Sequence, residues 1–322
     1  MPPPDELQEK MHYLLSTVPR HALAAASEQL TKRYRSEKRD QENSFMTDIA
    51  HRLAYLAVRM PATYAVVERV LEEIRLRFPP FAPTTLTDYG SGPGTATWAA
   101  SESFPDLKTA ILFEADQNLL TLGKQLMQNS STPALASATW HTQDLLQLDK
   151  FPITDLSILS YVVGELPIEL LPPLISKIWE STSQVLVIIE PGTPHGFERI
   201  RLLRDHLISL NAHLVAPCPH QNQCPMTGSD WCHFSQRLER SETHRLIKEV
   251  SLGYEDEKYS YIVASKSPVT LPSARILRHP NIHSGHVDLT LCTPTGLEKT
   301  IISRRQGPLY KLARKSDWGD AL

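Results

Sequence analysis

Apolar positions in the first quarter of the chain recur at intervals of three and four, in HALAAASEQL (21–30), IAHRLAYLAVRM (49–60) and ATYAVVERVLEEI (62–74). That spacing predicts helix over residues 5–78. Pro61 stands at the head of the last run, where a missing N–H is harmless, and so reads as a helix start. Between the helices lies TKRYRSEKRDQEN, whose cations from Lys32 to Arg39 suit either a solvated face or an RNA-facing patch. From residue 84 the pattern changes to short β-rich runs: TTLTDYG, TAILFEAD, SATWHTQD, DLSILSYVV, QVLVIIEP and, after a long interruption, YSYIVASK. Helical segments such as ATWAASESF, QNLLTLGKQLMQN and IELLPPLISKIWEST separate them, as a parallel α/β sheet requires. Beyond residue 272, HVDLTLCT and KTIISRRQ flank the turn PTG and read as a small antiparallel module.

These patterns divide the chain into an N-terminal helical region (1–80), a Rossmann-like α/β domain (81–271) carrying a cysteine-rich insertion (212–236), and a basic C-terminal β module (272–322). An apolar and aromatic share of 41% and a charged share of 21% are those of a soluble globular protein. No apolar run approaches the ~20 residues needed to span a bilayer. The opening MPPPDELQEKMHYLL has early acids and no apolar core, so neither a secretory signal nor an Arg-rich transit peptide is expected. A cytoplasmic monomer without membrane contact is the expectation, with the mitochondrial matrix as the site if the source is eukaryotic. A net charge of -3 supplies no global attraction to nucleic acid, so RNA contact would have to come from local patches.

The first chemical motif is Asp88-Tyr-Gly90-Ser91-Gly92-Pro-Gly94, at the junction of the first strand and the next helix. Glycines belong where the backbone turns tightly and passes close to a ligand. A dinucleotide dehydrogenase loop, G-x-G-x-x-G, would demand glycine at 95 or 97, and both are threonine. The D-x-G-x-G-x-G spacing resembles instead the first motif of class I S-adenosylmethionine (SAM) dependent methyltransferases. Glu114, at the end of the second strand, suits the two ribose hydroxyls of a bound nucleoside. Asp144, after the third strand, suits either the adenine amino group or a helix N-cap. Tyr161, after the fourth strand, completes the expected cofactor-binding set with Asp88, Gly90, Ser91, Gly92, Gly94, Glu114 and Asp144.

Acceptor chemistry is far less defined. Enzymes acting on base amino groups commonly carry Asn/Asp-Pro-Pro-aromatic after the fourth strand, where this chain reads SYVVGELP. Glu165 is a weak candidate base, and no catalytic residue is assigned.

Cys218, Cys224 and Cys232 fall within APCPHQNQCPMTGSDWCHF, and the fourth cysteine, Cys292, lies in HVDLTLCT. Such clustering in a polar, proline-rich segment favours metal ligation over disulfides. Four thiolates suit tetrahedral zinc or a [4Fe-4S] cluster. The intervals C-x5-C-x7-C are looser than zinc knuckles and fit a larger cluster better, while His220 and His233 keep zinc open.

Together, the glycine loop, Glu190-Pro191-Gly192-Thr193, FERIRLLRDHL, the cysteine set and RRQGPLYKLARKSDWGD resemble the methyltransferase-like small-ribosomal-subunit assembly family, known from mitochondria and with bacterial homologues. The resemblance covers nearly residues 40–322. It implies a SAM-binding fold, a [4Fe-4S] cluster on Cys218, Cys224, Cys232 and Cys292, binding to immature small-subunit rRNA, and weakened or lost methyl transfer. The alternative is an active rRNA or protein methyltransferase with structural zinc. Arg304, Arg305, Lys311, Arg314 and Lys315, interleaved with Tyr310 and Trp318, suit either RNA or a solvated strand edge; the resemblance favours RNA. A cluster bridging Cys292 and the insertion would clamp this basic module in place.

Overall fold

A computed structural model describes residues 2–35, 46, 48–248 and 251–322. Residues 36–39 of the basic run from Lys32 to Arg39 therefore lie outside the described residues. The chain divides into two compact units that interleave along the sequence. The first comprises 1–71, 82–160 and 236–257; the second comprises 72–81, 161–235 and 258–322.

Three helices open the chain: α1 (Asp5–Leu15), α2 (Arg20–Arg35) and α3 (Ile49–Arg77). The buried residues Leu7 and Met11 of α1, and Leu23, Ala26 and Leu30 of α2, lie one turn apart, so each helix buries one stripe. α3 runs 29 residues with Pro61 inside it rather than at a helix start. Ala57, Val58, Met60, Ala62, Tyr64 and Ala65 are all buried around that proline. Continuous packing on both sides of the ring outweighs a helix-interior proline's cost of about 3 kcal/mol.

The first unit then builds a four-stranded parallel sheet from β1 (Thr85–Tyr89), β2 (Thr109–Glu114), β3 (Thr139–Thr142) and β4 (Thr154–Ser160), in the order 3-2-1-4. α4 (Thr95–Ser103) connects β1 to β2, and α5 (Gln117–Met127) with the short α6 (Pro133–Ala136) connects β2 to β3. Asp155 locks β4 to the start of β1, accepting from the Thr84 and Thr85 amides and the Thr84 hydroxyl at 2.8–3.2 Å.

In the second unit, α7 (Leu171–Ser181) leads into β5 (Thr182–Pro191), and α8 (Pro194–Ser209) into β6 (His213–Ala216). β7 (Phe234–Glu239) and α9 (Glu242–Lys248) come next, belonging mostly to the first unit. β8 (Tyr254–Ser265) follows, and its second half runs antiparallel to both β5 and β6. The parallel order 3-2-1-4 in the first unit, and in the second unit a β8 antiparallel to both β5 and β6, are strand arrangements of the class I SAM-dependent methyltransferase fold. A separate antiparallel sheet carries β9 (Arg275–Ile276) and β10 (Asn281–Ile282) along one edge of β11 (His286–Thr293) and β12 (Gly296–Ser303) along the other. Val287, Leu289, Leu291 and Ile302 pack with Tyr310 and Ala313 of α10 (Pro308–Ala313) into its core.

Two sequence readings are corrected here. The span 212–236 reads as a polar insertion, yet its first residues form β6, where Leu214, Val215 and Ala216 are at most 1% exposed. Four residues ending at a proline are too short to announce a strand; pairing with β8 makes them one. KTIISRRQ reads as a single strand, but β12 ends at Ser303. There the Gln306 side chain accepts from the Ser303 amide at 2.6 Å and the chain turns into a 3-10 helix over Arg304–Gln306.

Candidate ligand and metal sites

The glycine loop leaves β1 through three left-handed glycines, with φ of +68° at Gly90, +55° at Gly92 and +83° at Gly94. No L side chain adopts that run cheaply. Phe113 accepts from the Gly90 and Ser91 amides at 2.8 and 2.9 Å, which folds the loop over the end of β2. At Gly94 a Cβ would meet Met127 Cε at 2.4 Å and Trp140 Cη2 at 3.1 Å, so this glycine is required by packing. At Gly92 the nearest atom to such a Cβ is Tyr55 Oη at 3.8 Å, and that side of the loop is open.

Glu114 braces the loop. Its Oε2 accepts from Gly92 N at 2.7 Å and its Oε1 from Asp116 N at 2.8 Å. Asp88, 1% exposed, takes the amide and hydroxyl of Thr97 at 3.2 and 2.8 Å. Burial pushes its carboxyl up to about 7 against those two bonds, and the nearby Glu114 carboxylate adds to the rise. Asp144 caps the turn after β3, its Oδ1 accepting from Leu146 N at 2.9 Å, as the helix-cap alternative anticipates. The residue before it, Gln143, donates to Glu114 O at 3.0 Å, bringing Asp144 beside the Glu114 strand end. Asp88, Ser91, the three glycines, Glu114 and Asp144 thus gather at one end of the first unit's sheet.

Tyr161 and Glu165 belong to the second unit. Tyr161 sits at φ +62°, a left-handed conformation costly for a bulky residue, and its amide donates to Ile189 O at 2.8 Å. Glu165 is exposed in the following turn. Beneath that turn lies Glu190, 2% exposed, whose Oε1 has no hydrogen-bond partner. Burial pushes it up to about 7, with Glu165 adding to the rise and the Gly164 amide and Arg199 opposing it. Arg199 pins the same turn through Val163 O and Leu166 O at 3.0 and 3.2 Å. Glu190 carries no role in the sequence reading beyond its place in the resemblance, although an acid closing the apolar run VLVII is a signal for one.

All four cysteines are free thiols lining one cavity of about 40 Å³ in the second unit. A single water-sized body needs only about 10–15 Å³. Cys218 follows β6 and a cis Ala216–Pro217 bond. Arg275, 1% exposed and ion-paired to Glu73 at 2.9 Å, donates to Pro217 O at 2.8 Å and to Gly319 O at 2.7 Å. Cys292 stands opposite Arg275 on β11. The Cys232 segment is held by Trp231 Nε1 on Gly192 O at 2.9 Å and by the Ser260 hydroxyl on Cys232 O at 2.8 Å. Met226, Leu277 and Phe197 pack between the sulfur-bearing segments.

Burial pushes the Cys292 thiol up to about 12, with the neighbouring cysteines adding to the rise; Cys224 and Cys232 are raised for the same reasons. Metal binding here therefore displaces protons. Among the described residues, the one His/Cys/Asp/Glu triad with ligand atoms all within 4.8 Å of one another is the surface group His283, His286 and Asp288. No three cysteine sulfurs come that close. A tetrahedral zinc with Zn–S bonds of about 2.3 Å draws its sulfurs to about 3.8 Å. Four thiols around one cavity are a donor set that a metal ion or a metal–sulfur cluster could occupy. His220 Nε2 lies 3.5 Å from Cys292 Sγ, while His233 stacks on Trp231.

The family of the mitochondrial small ribosomal subunit protein Rsm22 matches residues 49–322. The chain belongs to that family. The human ribosome assembly protein METTL17, mitochondrial, is 29% identical to this Rsm22-family chain over 308 residues, covering 88% of the chain and 64% of the human protein. The Rsm22-cox11 tandem protein 2, mitochondrial, of Schizosaccharomyces pombe is 29% identical over 335 residues, covering 88% and 44%. The chain therefore spans less than two thirds of either relative. A solved magnesium protoporphyrin IX methyltransferase from Synechocystis PCC 6803 with bound SAH aligns at TM-score 0.43 and 13% identity, covering 74% of the Rsm22-family chain and 95% of its own.

The basic tail divides in two. Arg304, Arg305, Lys311, Arg314 and Lys315 are all exposed. Tyr310 is 9% exposed in the module's core, and the half-buried Trp318 packs edge-on against His233 and His279. Burial in that core withdraws the Tyr310 ring from base stacking.

Proposed function

We propose that this chain is a SAM-binding iron–sulfur factor that attaches to small-subunit rRNA during ribosome assembly. The observation that carries the reading is the convergence of Cys218, Cys224, Cys232 and Cys292 on one cavity, from sequence positions as far apart as 218 and 292, in a member of the Rsm22 family. The human relative is a ribosome assembly protein, which supports the partner. No described helix is long and apolar enough to cross a membrane.

SAM, when bound, supplies a methyl group on an electrophilic sulfonium. In this reading Gly90–Gly94, Glu114 and Asp144 would hold it, the glycines admitting close backbone approach, Glu114 serving the ribose hydroxyls and Asp144 the adenine. The four cysteines hold the cluster, which supplies a cross-link between segments and a one-electron couple. Arg304, Arg305, Lys311, Arg314 and Lys315 meet phosphates. Anaerobic purification followed by iron, sulfide and zinc analysis tests the reading. Four irons and four sulfides per chain are expected, and a colourless protein with one zinc sinks it.

A second reading, active methyl transfer to rRNA, is favoured by the strained Tyr161 after β4 and by the intact glycine loop. Tritium transfer from labelled SAM to immature small subunits decides it, and no incorporation under saturating SAM rejects it.

A further inference from the structure

Arg204 lies within the buried stripe of α8 formed by Phe197, Ile200, Leu203 and Leu207, and its side chain is 4% exposed. A guanidinium stays charged and has no acceptor capacity, so a buried one must be fully engaged as a donor. Nε donates to Cys218 Sγ at 3.3 Å, and Nη2 to His220 O at 3.2 Å and Asn222 O at 2.6 Å. Nη1 donates to Asp205 Oδ1 at 2.6 Å, but Asp205 is 53% exposed and its charge is largely screened. Other cations near the sulfurs are differently committed: Arg201 donates to Met226 O at 3.4 Å and lies over the Phe197 ring, reaching no sulfur. Arg275 is neutralised by Glu73, 4% exposed, and Arg278 pairs with Asp230. Arg204 alone among these four both reaches a sulfur and lacks a buried counter-anion.

From this geometry we infer that Arg204 is the built-in counter-cation and sulfur hydrogen-bond donor of the four-cysteine site, and that it raises the reduction potential of the group held there. The inference rests on the cluster reading above. Four thiolates around a [4Fe-4S]2+ core sum to −2, and gain of one electron, drawn from the reductant and lodged on iron without bond cleavage, takes the sum to −3. A fixed positive charge stabilises the −3 state more than the −2 state, and an N–H···S bond acts in the same direction. The two carbonyl contacts also fix the backbone between Cys218 and Cys224.

The test is an EPR-monitored dithionite titration of the anaerobically purified full chain, alongside Arg204→Gln, Arg204→Lys and Asp205→Asn. Arg204→Gln is expected to lower the reduced-to-oxidised ratio at a fixed potential by at least tenfold, about 59 mV for one electron. Arg204→Lys, which keeps the charge, is expected to lie between wild type and Arg204→Gln. Asp205→Asn, which removes the screened anion, is expected to shift the ratio the opposite way. If Arg204→Gln loses iron on purification, Arg204→Lys and Asp205→Asn decide the matter. Wild-type potentials in every variant that retains iron overturn the inference. Wild-type protein lacking iron and sulfide overturns the underlying cluster reading before any variant is compared.

Discussion

Gly92 and Gly94 share a loop and a left-handed backbone, yet the fold assigns them different burdens, and alanine at each separates stability from binding. For either substitution the left-handed conformation costs about 1–2 kcal/mol. Gly94→Ala adds a methyl 2.4 Å from Met127 Cε and 3.1 Å from Trp140 Cη2. The methionine end can move, but the indole lies packed against Gly123 and cannot. Overpacking of this kind costs about 1–3 kcal/mol, for a total of about 2–5 kcal/mol. At about 2–4 °C per kcal/mol, the Tm is expected to fall by roughly 5–20 °C. Gly92→Ala carries the backbone cost alone, a fall of roughly 2–8 °C, because its Cβ meets nothing closer than 3.8 Å. That Cβ does occupy the open side of the loop, so SAM affinity measured by titration calorimetry is expected to drop by an order of magnitude or more. Equal melting shifts for the two variants would refute the packing argument. Unchanged SAM affinity in Gly92→Ala would refute the assignment of the open side to the cofactor.

Glu190→Gln tests the buried carboxyl. A folded-state value raised to about 7 means that Glu190 contributes stability below its ordinary range near 4.5 and loses it as pH rises through 7. The variant should gain on wild type between pH 5 and pH 8, by up to about 3 kcal/mol in urea denaturation; a pH-independent difference rules this out. Cys292→Ser should release the metal and expose residues 272–322 to protease, and an intact cluster with unchanged proteolysis contradicts the clamp. Replacing Arg304, Arg305 and Arg314 with alanine should weaken RNA binding and reduce the salt slope by about 2–3, in filter binding across salt concentrations. An unaltered slope removes the tail from the interface.

The glycine loop, Glu114, the order of strands and helices, and the four cysteines were legible because each depends on local rules. Glycines announce left-handed backbone, alternation and helical spacing announce elements, and clustered cysteines in polar sequence announce thiols that share one cavity. Pro61 misled for the same reason: a local signal predicts a helix start, whereas packing on both sides carries α3 through it. β6 escaped notice because LVA is a strand only when β8 lies beside it. Tyr310 looks like a stacking platform in a line of cations, and only the fold shows that it is buried in the module's core.

By itself, then, the sequence determined what is periodic or clustered: a Rossmann-like α/β chain, a D-x-G-x-G-x-G loop with its acid 20 residues on, and a four-thiol set. Tertiary structure alone decided which charges are withdrawn from water. Arg204 looks like an ordinary surface residue in the one-letter string, and Glu190 shows only as an acid closing an apolar run. Burial makes one a counter-cation at a sulfur and the other a carboxyl titrating near 7, because the energy of a charge depends on its solvent and partners, which the chain supplies only when folded.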